Sequence, residues 1–166
     1  MAFEIPSDLD PALTPIAWLI GRWEGGGNGE WPGGGSFTYA ATLDVTQVGQ
    51  PWLHSFMQLF EIDDAGAPVR PLQVEAAFWR PQPDGRIEVV SAQPEGVAEV
   101  YVGRVDGAKI ELRTDVVART ETAAVAATGG HRLLGTVDSE LYFAWDRGTA
   151  DAELQPYLWM RLGRRA

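Results

Sequence analysis

Hydrophobic and polar positions alternate with a period of two through most of this chain. Phe37, Tyr39, Ala41 and Leu43 share one parity within Ser36 to Val48, and Ile110 and Leu112 oppose Glu111 and Arg113 within Lys109 to Val116. Such alternation turns one face toward a core and the other toward water, which is the pattern of a half-buried strand. Runs of similar texture occupy Trp52 to Ile62, Leu72 to Trp79, Ile87 to Ala92, Val97 to Val102, Arg132 to Val137, Leu141 to Trp145 and Pro156 to Leu162. The alanine-rich Thr120 to Thr128 reads as strand or short helix, and Gly129-Gly130 reads as its break. Turn residues separate the runs: Gly49-Gln50-Pro51, Asp63 to Gly66, Pro94 to Gly96, and the Asp-Gly pairs Asp84-Gly85 and Asp106-Gly107. Asp-Gly between alternating apolar residues is a strong local hairpin signal. A single helical segment is predicted, Leu13 to Ile20, with Pro15 near its start and Ile16, Leu19 and Ile20 to plug one end of the fold.

The stretch Gly21 to Pro32 departs from this texture. Gly21, Gly25, Gly27 and Gly29 share one parity with Trp23 and Trp31. Glycine weakens a strand by about 0.5–1 kcal/mol relative to alanine, so a run of them needs a reason. The readings are a flexible glycine-rich loop, or a strand with a bend, a bulge, or close approach of another backbone or a flat ligand. Tryptophan at fixed parity favours the strand.

A meander of about ten strands without interleaved helices must bury one face and protect its edges, and closure into a barrel does both. The expected fold class is therefore all-β, an antiparallel up-and-down β-barrel with a short N-terminal helical turn. A two-sheet sandwich is the runner-up.

Composition narrows the function. The 166 residues carry a net charge of −10, which argues against nucleic acid or an anionic membrane as partner. There is no cysteine, so disulfides, zinc–thiolate sites and iron–sulfur clusters are excluded. No leader-like or membrane-spanning apolar run is seen, which points to the cytoplasm. Seven tryptophans point to an aromatic-lined interior or ligand pocket. No Walker loop or nucleophile elbow is present. The third glycine of a dinucleotide fingerprint would fall on Glu30. Glu24, Glu30 and Asp44 read as outward-facing solubilising charges. His54 and His131, the two histidines of the chain, read as solvated or hydrogen-bonded side chains rather than metal ligands.

Gly21-x-Trp23-x-Gly25-x-Gly27-x-Gly29-x-Trp31-Pro32 resembles the opening signature of the nitrobindins, small β-barrels related in architecture to fatty-acid-binding proteins and lipocalins. Leu13 to Ile20 looks like the family's lead-in. Arg80-Pro81-x-Pro83-Asp84-Gly85-x-Ile87-Glu88-Val89-Val90 looks like its central hairpin, and Leu154-Gln155-Pro156 like the entry to its last strand. The resemblance implies a single nitrobindin-like domain over residues 1–166. It also implies a ferric haem b held in the barrel mouth by one histidine, with nitric oxide binding and isomerisation of peroxynitrite to nitrate. In the family that histidine follows Leu-Gln-Pro, where this chain has Tyr157. Two further positions often histidine in the family correspond to Gln73 and Gln47. Trp31, Gln73, Arg147 and Tyr157 are the expected cavity residues, and Gly21, Trp23, Gly25 and Gly27 the motif positions. The reading that follows is a barrel that has lost histidine-ligated haem and takes another hydrophobic or planar ligand. The alternative is a haem b protein with Tyr157 as phenolate ligand and metal-binding residue, supported by Arg147 and by Arg161, which shares its strand parity.

Overall fold

In the computed structural model, which describes residues 4–165, a 3-10 helix precedes ten strands. These are β1 (Gly21–Glu30), β2 (Ser36–Thr46), β3 (Leu53–Ile62), β4 (Pro68–Pro81), β5 (Arg86–Gln93), β6 (Val97–Asp106), β7 (Lys109–Arg119), β8 (Ala127–Val137), β9 (Glu140–Thr149) and β10 (Ala152–Arg165). Each strand pairs antiparallel with the next, and β1 also pairs with β10, so the sheet closes into a barrel. Closure satisfies the edge hydrogen bonds of the first and last strands, as the meander requires. Among the described residues no helix is long and apolar enough to cross a membrane.

The helix, Pro11–Leu19, is capped by the Asp10 carboxylate, which accepts from the Ala12 N–H at 2.9 Å. Leu13, Ile16 and Leu19 recur every third residue, the period of a 3-10 helix, so all three point inward and are buried. Trp23 donates its indole N–H to the Leu19 carbonyl at 2.8 Å, and Arg164 donates to the carbonyls of Trp18 and Ile20 while covering the Trp23 ring at 4.1 Å. The plug is thereby tied to β1 and β10. It closes the end of the barrel where β1, β3, β5, β7 and β9 begin.

The predicted alternation holds on β2, where Phe37, Tyr39, Ala41, Leu43 and Val45 are all buried. The Asp-Gly pairs form turns, with φ of 66° at Asp84, 71° at Gly85 and 57° at Gly107. Two expectations are corrected. Thr120 to Ala126 is a loop, neither strand nor helix, and Gly129-Gly130 lies within β8 instead of ending a segment. Gly130 has a packing reason to be glycine. A Cβ there would stand 2.8 Å from the Tyr101 hydroxyl and 3.0 Å from the Trp145 indole nitrogen, both inside the barrel. The other correction concerns β10. Its register slips between Pro156 and Leu158, so Tyr157 and Leu158 are both buried and the inward parity changes to Leu158, Met160 and Leu162. Arg161 therefore faces outward, ion-paired with Glu140, and not toward Tyr157.

β1 runs from Gly21 to Glu30, and its glycines meet neighbouring strands instead of a flat ligand. A Cβ on Gly25 would fall on the Arg161 carbonyl, and one on Gly27 on the Trp159 carbonyl. Gly27 sits between Tyr39 of β2 and Met160 of β10. Across that bare position the Tyr39 hydroxyl donates to the Trp159 carbonyl at 2.8 Å, joining two strands that do not pair. The absent side chains let the wall curve tightly at its closing seam.

Candidate functional site

The interior divides along the barrel axis. Toward the helical plug it is apolar, built from Leu13, Ile16, Leu53, Ile87, Ile110 and Leu141. Toward the opposite end, the inward positions of β4, β5, β6, β8, β9 and β10 carry Gln73, Glu75, Gln93, Glu99, Arg132, Arg147 and Tyr157. Strand pairing explains how these distant residues meet. Consecutive antiparallel strands bring the first inward residues of even strands beside the last inward residues of odd ones.

Arg132 is the centre of the polar half. Its guanidinium donates two parallel hydrogen bonds to the Glu75 carboxylate, both 2.6 Å, and one nitrogen lies 3.5 Å from Glu99. The Trp145 ring covers it at 3.9 Å and the Tyr101 ring at 4.4 Å. A planar, weakly hydrated cation suits this sandwich between aromatic faces and a carboxylate fork. Burial works against the charge, but Glu75, then Tyr101 and Glu99, outweigh it and hold the guanidinium above its ordinary pKa. Burial pushes the Tyr101 hydroxyl up to about 12, with Arg132 opposing. Gln93 links this centre to the mouth. Its amide donates to Glu75 at 3.2 Å and Glu99 at 2.8 Å, and its carbonyl accepts from Arg147 at 3.0 Å.

At the mouth, Tyr157 donates its hydroxyl to the Gln73 side-chain oxygen at 3.1 Å. Burial raises the phenol above its ordinary pKa, with the Arg147 guanidinium only partly offsetting it, so the group is neutral at physiological pH. The Arg147 guanidinium lies 5.3 Å from the Tyr157 ring centre, and Trp145 meets that ring edge-on at 5.2 Å. Phe37 lies beyond it at 6.5 Å, and Trp31 stacks on Phe37 at 4.2 Å, half-buried at the rim with Arg70 over it. Gln73 Nε2 and Arg147 Nε have no hydrogen-bond partner among the described residues.

The structure places Gln73, Arg147 and Tyr157 together, with Trp31 at the edge of the group. Gly21, Trp23, Gly25 and Gly27 are not part of it. Trp23 belongs to the plugged end, and the glycines serve the β1–β10 seam. Both histidines point away from the interior. His54 is exposed beside Phe78, and His131 lies on the outer wall between Glu111 at 2.8 Å and Asp146 at 3.4 Å. No metal-binding cluster of histidines and carboxylates exists among the described residues. Sequence reasoning missed Glu75, Gln93, Glu99 and Arg132. Their signal was parity, because Glu75 shares it with Ala77 and Trp79, and Glu99 with Val97 and Tyr101.

Glu95, on the β5–β6 turn, faces the same mouth. Burial raises its carboxyl pKa, while a backbone hydrogen bond and Arg147 pull the other way. An acid whose folded pKa lies above its unfolded one penalises the folded state as pH rises through that range. Glu95→Gln is therefore expected to melt above wild type at pH near 7, with the two curves converging below about pH 4. Thermal melts of both proteins at the two pH values check this.

Residues 12–164 match the family model described as the THAP4-like, heme-binding beta-barrel domain. The chain is 51% identical to a ferric nitrobindin-like protein of Cutibacterium acnes over 165 residues, covering 99% of both. It is 44% identical to a peroxynitrite isomerase of a Nocardioides species, covering 99% of this chain and 100% of that one. Among solved structures, the crystal structure of Rv2717c from M. tuberculosis superposes with a TM-score of 0.84 at 30% identity, covering 95% of this chain and 99% of that one.

Proposed function

From its membership of the nitrobindin family of haem-binding β-barrels, to which this chain belongs, we propose that the protein is a barrel-mouth ligand binder that has given up histidine-ligated haem. The observation that carries this reading is the state of Tyr157. It stands at the position the resemblance assigns to the axial histidine, and its hydroxyl is a protonated donor to Gln73. At that position the resemblance calls for an imidazole, and Tyr157 could replace it only as phenolate. Neither histidine faces inward, and burial disfavours the phenolate.

The surroundings also fit a macrocycle poorly. Haem requires a broad apolar slot, whereas the space beneath Tyr157 holds the ion-paired Arg132, Glu75 and Glu99 and the bridging Gln93. Aromatic faces at Trp31, Phe37, Trp145 and Tyr157 instead suit a smaller planar ligand. On this reading the isomerase activity named for the Nocardioides relative is not carried by this chain.

The second reading keeps haem b, ligated by Tyr157 as phenolate, with nitric oxide binding or peroxynitrite isomerisation. Its one supporting observation is the Arg147 guanidinium beside the phenol, which favours the anion. A visible-spectrum titration of the purified protein with haemin separates the two. No saturable Soret shift is expected. A saturable shift that Tyr157→Phe abolishes would overturn the proposal and establish the phenolate.

A further inference from the structure

We propose that the ligand of the barrel mouth is a small planar carboxylate, its anionic head bound by Arg147 and Gln73 and its ring lying among Trp145, Tyr157 and Phe37. The inference rests on the preceding reading that the mouth binds a small ligand and not haem.

Two guanidinium groups are buried in this barrel, and they are treated differently. Arg132 is 1% exposed and has a bidentate carboxylate partner in Glu75 and a second one in Glu99. Arg147 is 4% exposed, and its polar neighbours are neutral: it donates to Gln93 and lies against the Tyr157 phenol. Among the described residues no carboxylate forms an ion pair with Arg147. Glu95 acts on it electrostatically without forming an ion pair. Burying a guanidinium without a compensating anion is costly. The Nε–H of both guanidinium groups is unpartnered, so what sets Arg147 apart is the missing carboxylate, and an incoming anion would supply it.

The second donor is independent of the first. Gln73 is 2% exposed, its oxygen is occupied by the Tyr157 hydroxyl, and its Nε2 has no partner. The hydrogen bond from Tyr157 fixes the amide so that it presents N–H groups rather than oxygen to its free side. Both donors border the same phenol ring, Gln73 through the hydroxyl and Arg147 across the face at 5.3 Å. A carboxylate offers two oxygens to Arg147 Nε–H and Gln73 Nε2–H, and its charge strengthens both hydrogen bonds. The hydrophobic side of the ligand follows from its neighbours. Trp145 and Phe37 approach Tyr157 edge-on at 5.2 and 6.5 Å, so the groups beside the two donors are aromatic. The chain's net charge of −10 repels anions at long range, so selectivity has to come from these short contacts and not from steering.

Benzoate and its neutral isostere benzamide, titrated into wild-type protein and followed by calorimetry and tryptophan fluorescence, test the inference. Benzoate is expected to bind saturably and more than about tenfold tighter than benzamide. Arg147→Gln should remove at least about tenfold of that affinity, and Glu95→Gln, which takes a competing negative charge from the mouth, should strengthen it. The wild-type comparison needs no variant, so a failure of Arg147→Gln to fold leaves the test intact. Equal binding of benzoate and benzamide overturns the anion site while the planar-ligand reading stands. No binding of either overturns the inference. If haemin then gives a saturable Soret shift, the reading beneath it fails too.

Discussion

Arg132→Met should destabilise the barrel by about 3–5 kcal/mol, the range expected when one partner of a buried ion pair is removed. The substitution takes away the bidentate partner of Glu75 and the 3.5 Å partner of Glu99, and leaves both carboxylates inside a closed barrel. It also strips the guanidinium from between the Trp145 and Tyr101 rings. Urea denaturation followed by tryptophan fluorescence measures the loss. Arg132→Met combined with Glu75→Leu and Glu99→Leu should recover most of it, because an apolar replacement of a buried charge set removes the desolvation cost along with the attraction. A loss below about 1 kcal/mol for the single variant, the size of an exposed pair, would show that the centre is open to water.

Gly27→Ala is expected to be the other severe change, costing about 3 kcal/mol, at the upper end of overpacking in a closed structure. The added methyl would lie on the Trp159 carbonyl and only 2.7 Å from the Met160 Cα, so β10 must retreat from β1. The same carbonyl accepts the Tyr39 hydroxyl, which would lose its partner. Gly33→Ala is the control within the same stretch. It has open space for a Cβ, although its φ of 92° makes alanine strained there. Thermal unfolding of both variants measures the difference. Gly27→Ala should lower the melting temperature by more than Gly33→Ala, and the reverse order would refute close approach at the seam.

The barrel was legible because its strands obey one rule. Inward residues are apolar at every second position, as on β2, and turns are marked by Asp-Gly or glycine–proline clusters. The glycine-rich stretch was legible as a strand, and its cause became visible only with the neighbouring strand in place. Gly25 and Gly27 answer to carbonyls of β10, residues more than a hundred positions away. The bulge at Tyr157 was not legible. Nothing in Leu154-Gln155-Pro156-Tyr157 announces an extra residue, and parity counted through it placed Arg161 on the wrong face.

The site was half legible. Gln73 and Tyr157 were reached through the family resemblance and Arg147 through its place just before the last strand, whereas Glu75, Gln93, Glu99 and Arg132 were not reached at all. A charged residue at an inward position looks in sequence like any outward one when the strand has apolar residues on both parities, as Gln73 to Trp79 does. Only the pairing of five strands shows that Arg132 of β8 meets Glu75 of β4 and Glu99 of β6. The cost of burying them is met by the Arg132–Glu75 fork and by Gln93, which serves three groups at once.

On the proposed reading, iron at this position would have to displace the proton that Tyr157 shares with Gln73. Ultraviolet titration of tyrosinate, taken as the difference between wild type and Tyr157→Phe, follows that single phenol directly. The account predicts ionisation above the ordinary value of about 10, because burial outweighs the nearby Arg147. Tyrosinate absorbance from Tyr157 appearing below that value would contradict it.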